Sequence, residues 1–73
     1  MKIVIEFYRT RWQDDARAIL GREMDEAADV EGAIRIARSL SRTLSMPQRP
    51  DAVSIADIDG NEIYSGRLDA ASF

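Results

Sequence analysis

One amphipathic stretch, Asp29 to Met46, constrains the fold more than any other part of the chain. Asp29 precedes the pattern, where its carboxylate can accept hydrogen bonds from the first free backbone amides. Pro47 follows Met46 and disfavours helical geometry there. The sequence therefore predicts one helix from Asp29 to Met46. The residues that recur at the three- and four-residue spacing of a buried helix face are Val30, Ala33, Ile34, Ala37, Leu40, Ser41 and Leu44.

The segments before this helix predict part of the sheet that it covers. Apolar residues at alternate positions predict a first strand from Lys2 to Tyr8. The segment Ala16 to Ala28 is rich in helix formers, but a strand there would leave Asp29 free to cap the helix and would widen the sheet. We predict a strand centred on Arg17 to Glu26, with a second helix as the alternative. The residues of the first strand expected to face the helix are Ile3, Ile5 and Phe7.

A β-hairpin is predicted from Val53 to Gly66, because Asp59 and Gly60 are typical of a tight turn. A two-residue turn would place Tyr64 beside the apolar residues of the preceding strand. A loop longer by one residue, which includes Asn61, would place Ile63 there instead, and the sequence leaves both registers open.

The predicted element order is therefore ββαββ. It gives an α+β two-layer sandwich, in which a four-stranded, mostly antiparallel sheet carries one helix across one face. Residues 1–73 are expected to form one domain, because a chain of this length buries only about 60% of its unfolded surface and builds one core. The tail from Leu68 to Phe73 is expected to fray.

Composition narrows the classes of function. The chain has 73 residues with neither Cys nor His, which excludes disulfides, thiolate metal sites and histidine catalysis. Its net charge of −3 is not typical of a duplex-binding protein, although a local basic patch can contact phosphate. The apolar run at the start is too short for a signal peptide or a membrane span, so we expect a cytoplasmic location.

No catalytic, metal or cofactor site is predicted. The hydroxyl residues have no His to activate them, and the paired carboxylates lie in predicted turns or strand ends. The stretch from Asp57 to Glu62 resembles a calcium loop in composition. Its spacing, however, puts Ile55 and Gly66 at positions that need side-chain oxygens. We therefore expect a protein that is not an enzyme.

Arg35, Arg38 and Arg42 lie on one side of the predicted helix, and Arg49 follows in the next loop. Such a basic strip can contact phosphate or an acidic partner. A solvated helix side, with Glu31 four residues before Arg35, explains the same pattern. The acidic net charge favours the solvated interpretation, so nucleic acid remains the alternative partner.

The sheet face opposite the helix is the predicted contact surface. One helix leaves that face uncovered, and Val4 and Tyr8 are expected on it, with Trp12 in the adjacent loop. Ile36 lies at the edge of the apolar helix face, beside small residues that allow close approach. These four are the predicted protein-contact residues. Further candidates for the uncovered face are Ile19 and one of Ile63 and Tyr64.

Three stretches carry a resemblance: Gly21 to Asp29, Met46 to Asp51, and the hairpin. Through them the chain resembles a class of short bacterial proteins of unknown function. In topology it also resembles HicB-like antitoxin domains, whose partner is a small basic toxin ribonuclease. That second resemblance implies a nucleic-acid-linked regulator. The chain departs from the family in its second strand, which does not match the family motif, and in lacking an appended DNA-binding segment.

The sequence therefore predicts a cytoplasmic, non-enzymatic domain that acts by protein contact. Self-association as a homodimer, through the uncovered face or an edge strand, is the main expectation. The alternative is a nucleic-acid-linked regulator that uses the four arginines. No membrane partner or small-molecule substrate is indicated.

Overall fold

The computed structural model describes residues 1–10, 16–43, 45–46 and 49–67; the tail expected to fray lies outside them. The strands form one antiparallel sheet in the order β2-β1-β3-β4, so the α+β fold is confirmed. Segment 16–28 contains strand β2, and its helical alternative is wrong. The elements are β1 (Lys2–Thr10), β2 (Arg17–Glu26), α1 (Val30–Thr43), β3 (Ala52–Asp57) and β4 (Glu62–Arg67).

Asp29 caps α1 as predicted. Its Oδ1 accepts a hydrogen bond from the amide of Gly32 at 2.7 Å, and its carbonyl accepts one from Ala33 at 3.0 Å. The side chain thus satisfies one of the amides that a helix N-terminus leaves without a partner.

The predicted helix end at Met46 is wrong, because α1 ends at Thr43. The last turn is rich in hydroxyl residues, which have weak helix propensity. Thr43 Oγ1 donates to the carbonyl of Ser39 at 3.0 Å, so side chains in this turn compete for the helix carbonyls. The helix therefore ends before Pro47 would force it to.

The core lies between α1 and the sheet, where α1 packs mainly against β1, β3 and β4. The helix approaches the strands through Ala33 and Ala37, whose small side chains are almost completely buried. The predicted inward set of β1 is confirmed, since its three residues are fully buried. The described core consists of Ile3, Ile5, Phe7, Ala27, Ala33, Ala37, Val53 and Ile55.

The loop between β3 and β4 matches neither predicted turn, because Asn61 pairs with Asp57 instead of lying inside the loop. Tyr64 nevertheless lies beside Ile55, as the two-residue turn predicted. The amide of Gly60 donates to the carbonyl of Asp57 at 3.1 Å, and the amide of Asp57 donates to the carbonyl of Asn61 at 2.9 Å. These bonds close a three-residue loop, 58–60, in which Gly60 has φ of 89°. A turn followed by a left-handed residue is a common hairpin connection, and glycine adopts that φ without steric cost.

A β-bulge then changes the register of this hairpin. The pairing shifts between Ile55 and Ala56, so that Tyr64 lies opposite Ile55 and Ile63 is the extra residue. Both Ile63 and Tyr64 pack against the core. The expectation that one of them lies on the uncovered face is therefore wrong.

Asp57 holds the hairpin loop together. Its Oδ1 accepts hydrogen bonds from the amides of Asp59 and Asn61, each at 2.9 Å, and its Oδ2 accepts one from the Asn61 side chain at 3.1 Å. These bonds, those from Asn61 above all, hold the pKa of Asp57 below its ordinary value of 3.8, because they favour the ionised carboxylate.

This lowered pKa gives the hairpin a pH dependence. A carboxyl with a lower pKa in the folded chain stabilises the fold above its unfolded pKa, and the stabilisation is lost as pH falls through the folded pKa. We expect the free energy of unfolding to fall more steeply below about pH 4 in the wild type than in Asp57→Asn. Urea titrations at several pH values measure this difference. Asn61→Ala should raise the pKa of Asp57, and an NMR titration giving Asp57 its ordinary pKa in the folded wild type would contradict the account.

Candidate contact surface

The sheet face opposite α1, called here the uncovered face, contains Val4 and Tyr8. Both side chains are half-buried, and they alternate along β1 with the fully buried core residues. The only helix among the described residues packs on the other side of the sheet. The fold therefore places Val4 and Tyr8 on the predicted side of the sheet.

Cross-strand pairing extends these residues into two apolar rows. Val4 lies between Met24 of β2 and Ala56 of β3, and Tyr8 lies between Ile19 and Ala52 of the same strands. Met24 is 61% exposed and Ile19 is 60% exposed. Aligned side chains on neighbouring strands touch across a sheet, so each row is a continuous apolar strip that ends at an edge strand.

A bulge in β2 places Ile19 and Met24 on the same face. Phe7 pairs with Gly21 but Tyr8 pairs with Ile19, which leaves Leu20 as an extra residue. Simple alternation puts Ile19 and Met24 on opposite faces, so the sequence prediction missed Met24. The available signal was Gly21, since a glycine inside a strand often marks a bulge.

Polar groups around Tyr8 fix its position. Its Oη donates to Glu6 Oε1 at 3.2 Å, and the guanidinium of Arg17 lies 5.6 Å from its ring centroid. Burial first, and then the Glu6 carboxylate, raises the pKa of Tyr8. The hydroxyl therefore stays protonated at neutral pH and remains a hydrogen-bond donor.

The uncovered face is electrically asymmetric along the strands. At one end Glu62 Oε1 accepts a hydrogen bond from Ser54 at 3.2 Å. At the other end a hollow of about 340 Å³ opens over Ala52, and Arg17 and Arg67 both line it. Neither arginine forms an ion pair with another residue that the structure describes. One end of the face is thus acidic and the other basic, and between them Glu6 of β1 lies opposite Arg22 of β2.

Ile36, another predicted contact residue, does not lie on this surface. Ile36 is half-buried and packs against the core from the helix layer, on the opposite side of the sheet from Val4 and Tyr8. Trp12 lies outside the residues that the structure describes.

The four predicted anion-contact residues are all exposed. Arg35 and Arg38 line one hollow of about 310 Å³ on α1, together with Glu31 and Ile34. A carboxylate therefore sits among the guanidinium groups, which makes the hollow less favourable for phosphate. The structure brings Arg35 and Arg38 together there, but not the other two predicted members, which are Arg42 and Arg49.

Comparison with protein-family models, with curated proteins and with solved structures gives no match. In the part of the chain that is described, α1 is neither long nor apolar enough to cross a membrane. The same residues contain no group of three or more acidic side chains placed to hold a metal ion.

Proposed function

We propose that this protein is a non-enzymatic domain that acts by protein contact, and that its partner is a second copy of the same chain. The observation that carries the proposal is the pair of apolar rows on the uncovered face. Their outer members, Ile19 and Met24, are each more than half exposed on an edge strand. The two rows lie on either side of a charged pair, Glu6 and Arg22, in the middle of the face. Grouped apolar side chains of this kind are typical of a protein-interaction surface.

The face is a better contact surface than the sheet edge next to it. β2 is an edge strand, and five of its residues are charged. Charged side chains on an edge strand oppose the addition of another strand, because they would be forced together or desolvated. Those five residues are Arg17, Arg22, Glu23, Asp25 and Glu26.

The dimensions of the uncovered face set the expected strength of the contact. Four strands about 4.8 Å apart, and six residues of about 3.3 Å each along them, give a flat footprint of roughly 400 Å². A standard interface buries about 800 Å² of accessible surface on each partner. We therefore expect a weak dimer, with a dissociation constant in the micromolar range or above.

Met24→Lys is expected to weaken self-association by a factor of ten or more, on the order of the cost of burying an unpaired ammonium group at an interface. Sedimentation velocity over a range of concentrations measures the effect. Ala18→Lys is the matched control, because Ala18 is exposed on the same strand and pairs with Arg9 on the other face. Circular dichroism confirms that both variants fold.

Two results would count against this proposal. A wild-type chain that stays monomeric up to several hundred micromolar would remove self-association. Equal weakening by Met24→Lys and Ala18→Lys would show that the uncovered face is not the contact surface.

A second proposal is a nucleic-acid-linked regulator that uses Arg35, Arg38, Arg42 and Arg49. The observation in its favour is that all four side chains are exposed and two of them share one hollow. A mobility shift of RNA or DNA that weakens with salt, and is lost when the four arginines become glutamines, would support it. The carboxylate of Glu31 in that hollow and the net charge of −3 place it second.

A further inference from the structure

On the uncovered face, the cross-strand pairs of β1 and β2 alternate between charged and apolar. The apolar pairs are the β1 and β2 members of the two apolar rows. One charged pair lies between those rows and another precedes the first, and in each charged pair one strand supplies the acid and the other the base. At each level, therefore, the two strands carry side chains that are chemical partners of one another. The pairs in order are Lys2 with Glu26, Val4 with Met24, Glu6 with Arg22, and Tyr8 with Ile19.

We infer that a second copy packs on this half of the uncovered face, related to the first by a two-fold axis that runs parallel to the strands and midway between β1 and β2. This arrangement deepens the proposed function and rests on it. The rotation places β1 of each copy over β2 of the other and keeps every residue at its own level along the strands. Each cross-strand pair within one copy is thus repeated between the copies, and every contact occurs twice because a two-fold interface is isologous.

The charged pair in the middle of the face meets opposite charges in this arrangement. Arg22 of one copy lies over Glu6 of the other, so the four charges form a square in which acid and base alternate. Arg22 is exposed and forms no ion pair with another residue that the structure describes. Its guanidinium is therefore free to bind the carboxylate of the second copy, in a charge-assisted hydrogen bond that is stronger than a neutral one.

The two exposed apolar side chains of β2 are covered in the same arrangement. Met24 lies over Val4 of the other copy, and Ile19 lies over Tyr8. The neighbouring β3 residues in both rows are alanines, which leave room for the longer side chains of β2. Aligned sheets commonly pack about 10 Å apart, a distance that side chains from the two layers fill together.

The two ends of the contact also pair charged groups with suitable partners. At one end Lys2 lies over Glu26, whose carboxylate is 3.4 Å from the N-terminal ammonium of its own chain. At the other end Arg17 lies over Thr10, whose amide and hydroxyl donate to Asp51 Oδ1 at 3.0 and 3.4 Å. A carboxylate bound to Thr10 therefore lies beside the guanidinium of the second copy.

The contact covers only half of the face. Two strands about 4.8 Å apart, and nine residues of about 3.3 Å each along them, give a footprint of roughly 300 Å². That area is small beside a standard interface, which agrees with the weak dimer expected above. Strand β4 has β3 between it and the contact, so Glu62 and Arg67 remain in solvent.

Other face-to-face axes bring like charges together or bury an apolar side chain against a charge. An axis across the strands through the middle of the face would place Arg22 on Arg22 and Glu6 on Glu6. The same axis moved to the level of Val4 would place Glu62 on Glu62. An axis parallel to the strands but between β1 and β3 would place Met24 over Glu62. Desolvation of a charge without an opposite partner is unfavourable, and the axis between β1 and β2 avoids it.

Single-cysteine variants test the position of the axis, because the wild-type chain has no cysteine. An axis that runs along β1 and β2 keeps each residue of β2 level with the same residue of the other copy. Ile19→Cys and Met24→Cys should therefore both form cross-linked dimers with a bifunctional thiol reagent that spans slightly more than the separation of packed sheets, about 10 Å. Glu62→Cys is the matched control on the same face and should stay monomeric in denaturing electrophoresis.

Charge exchange tests the contacts themselves. In Arg22→Glu both central contacts become acid against acid, and in Glu6→Arg both become base against base, so each variant alone should self-associate on the order of tenfold more weakly or worse. A one-to-one mixture places an acid against a base at both contacts. Sedimentation with one variant fluorescently labelled should show a heterodimer that is tighter than either variant alone. Glu62→Arg and Arg67→Glu are the controls outside the contact, and neither should weaken self-association.

The outcomes separate this geometry from the proposed function. A wild-type dimer in which Ile19→Cys or Met24→Cys fails to cross-link, or in which Glu62→Cys cross-links, would overturn the axis and leave self-association standing. Absence of a heterodimer in the mixture of Arg22→Glu and Glu6→Arg would also overturn it. A strictly monomeric wild type would overturn both the geometry and the proposed function.

Discussion

Phe7→Ala is expected to lower the free energy of unfolding by about 3–5 kcal/mol. Phe7 is fully buried and is the largest of the completely enclosed side chains in the described core. It lies on β1, a central strand of the sheet, between Gly21 and Val53. Truncation removes buried apolar surface and leaves a cavity that the neighbouring strands cannot close.

Such a loss is large for a domain of this size. At about 0.05–0.15 kcal/mol per residue, a chain of 73 residues has roughly 4–11 kcal/mol of stability in total. We therefore expect Phe7→Ala to be partly or wholly unfolded at room temperature, as measured by circular dichroism and urea titration. Phe7→Leu fills more of the space and should lose less.

Ile19→Ala is the control for this prediction. Ile19 is also a large apolar residue of the sheet, but it is 60% exposed. Its truncation at low protein concentration should cost less than about 1 kcal/mol, because little buried surface is removed. Losses of similar size at Phe7 and Ile19 would contradict the assignment of Phe7 to the buried face of the sheet and of Ile19 to the exposed face.

Ala33→Leu is expected to destabilise the protein by about 2–3 kcal/mol, because it adds volume to the core instead of removing it. Ala33 is completely buried where α1 meets the sheet. A leucine there must push the helix away from the strands or adopt a strained rotamer, because the interior is close-packed. Urea titration gives the free energy of unfolding.

The comparison variant is Ser39→Leu, an exposed position on the same helix. It adds a side chain of the same kind without entering the core, and leucine is also the better helix former. We expect no loss of stability there, or a small gain. A wild-type-like Ala33→Leu variant would show that the helix does not lie close to the sheet.

Local patterns in the sequence predicted those parts of the fold that depend on nearest neighbours. The cap at Asp29 follows from one carboxylate at the start of a periodic stretch, and the inward side of β1 follows from strict alternation. The end of α1 could not be placed so well. Side-chain hydroxyls such as that of Thr43 compete for the helix carbonyls, and this competition changes the free energy of the helix only slightly. The strong stop signal of Pro47 hid this effect in the sequence.

Bulges explain most of what the sequence did not predict. A single extra residue reverses the side on which all later side chains of a strand lie. Leu20 does this in β2 and Ile63 does it in β4. Val4 and Tyr8 were placed on the uncovered face because the alternation of β1 is regular, whereas Met24 was missed because β2 is not.

The packing of the helix leaves β2 with less support than its neighbours. α1 rests mainly on the other three strands, and the surface that β2 turns toward the helix layer carries Glu23 and Asp25. Elements with few apolar contacts open most readily in native-state fluctuations, and their amides exchange with solvent first. Because this strand also presents Ile19 and Met24, the detachment of β2 and the proposed binding of a second copy would be thermodynamically linked. A partner would slow the opening of the strand, and every transient opening would in turn reduce the fraction of molecules competent to bind.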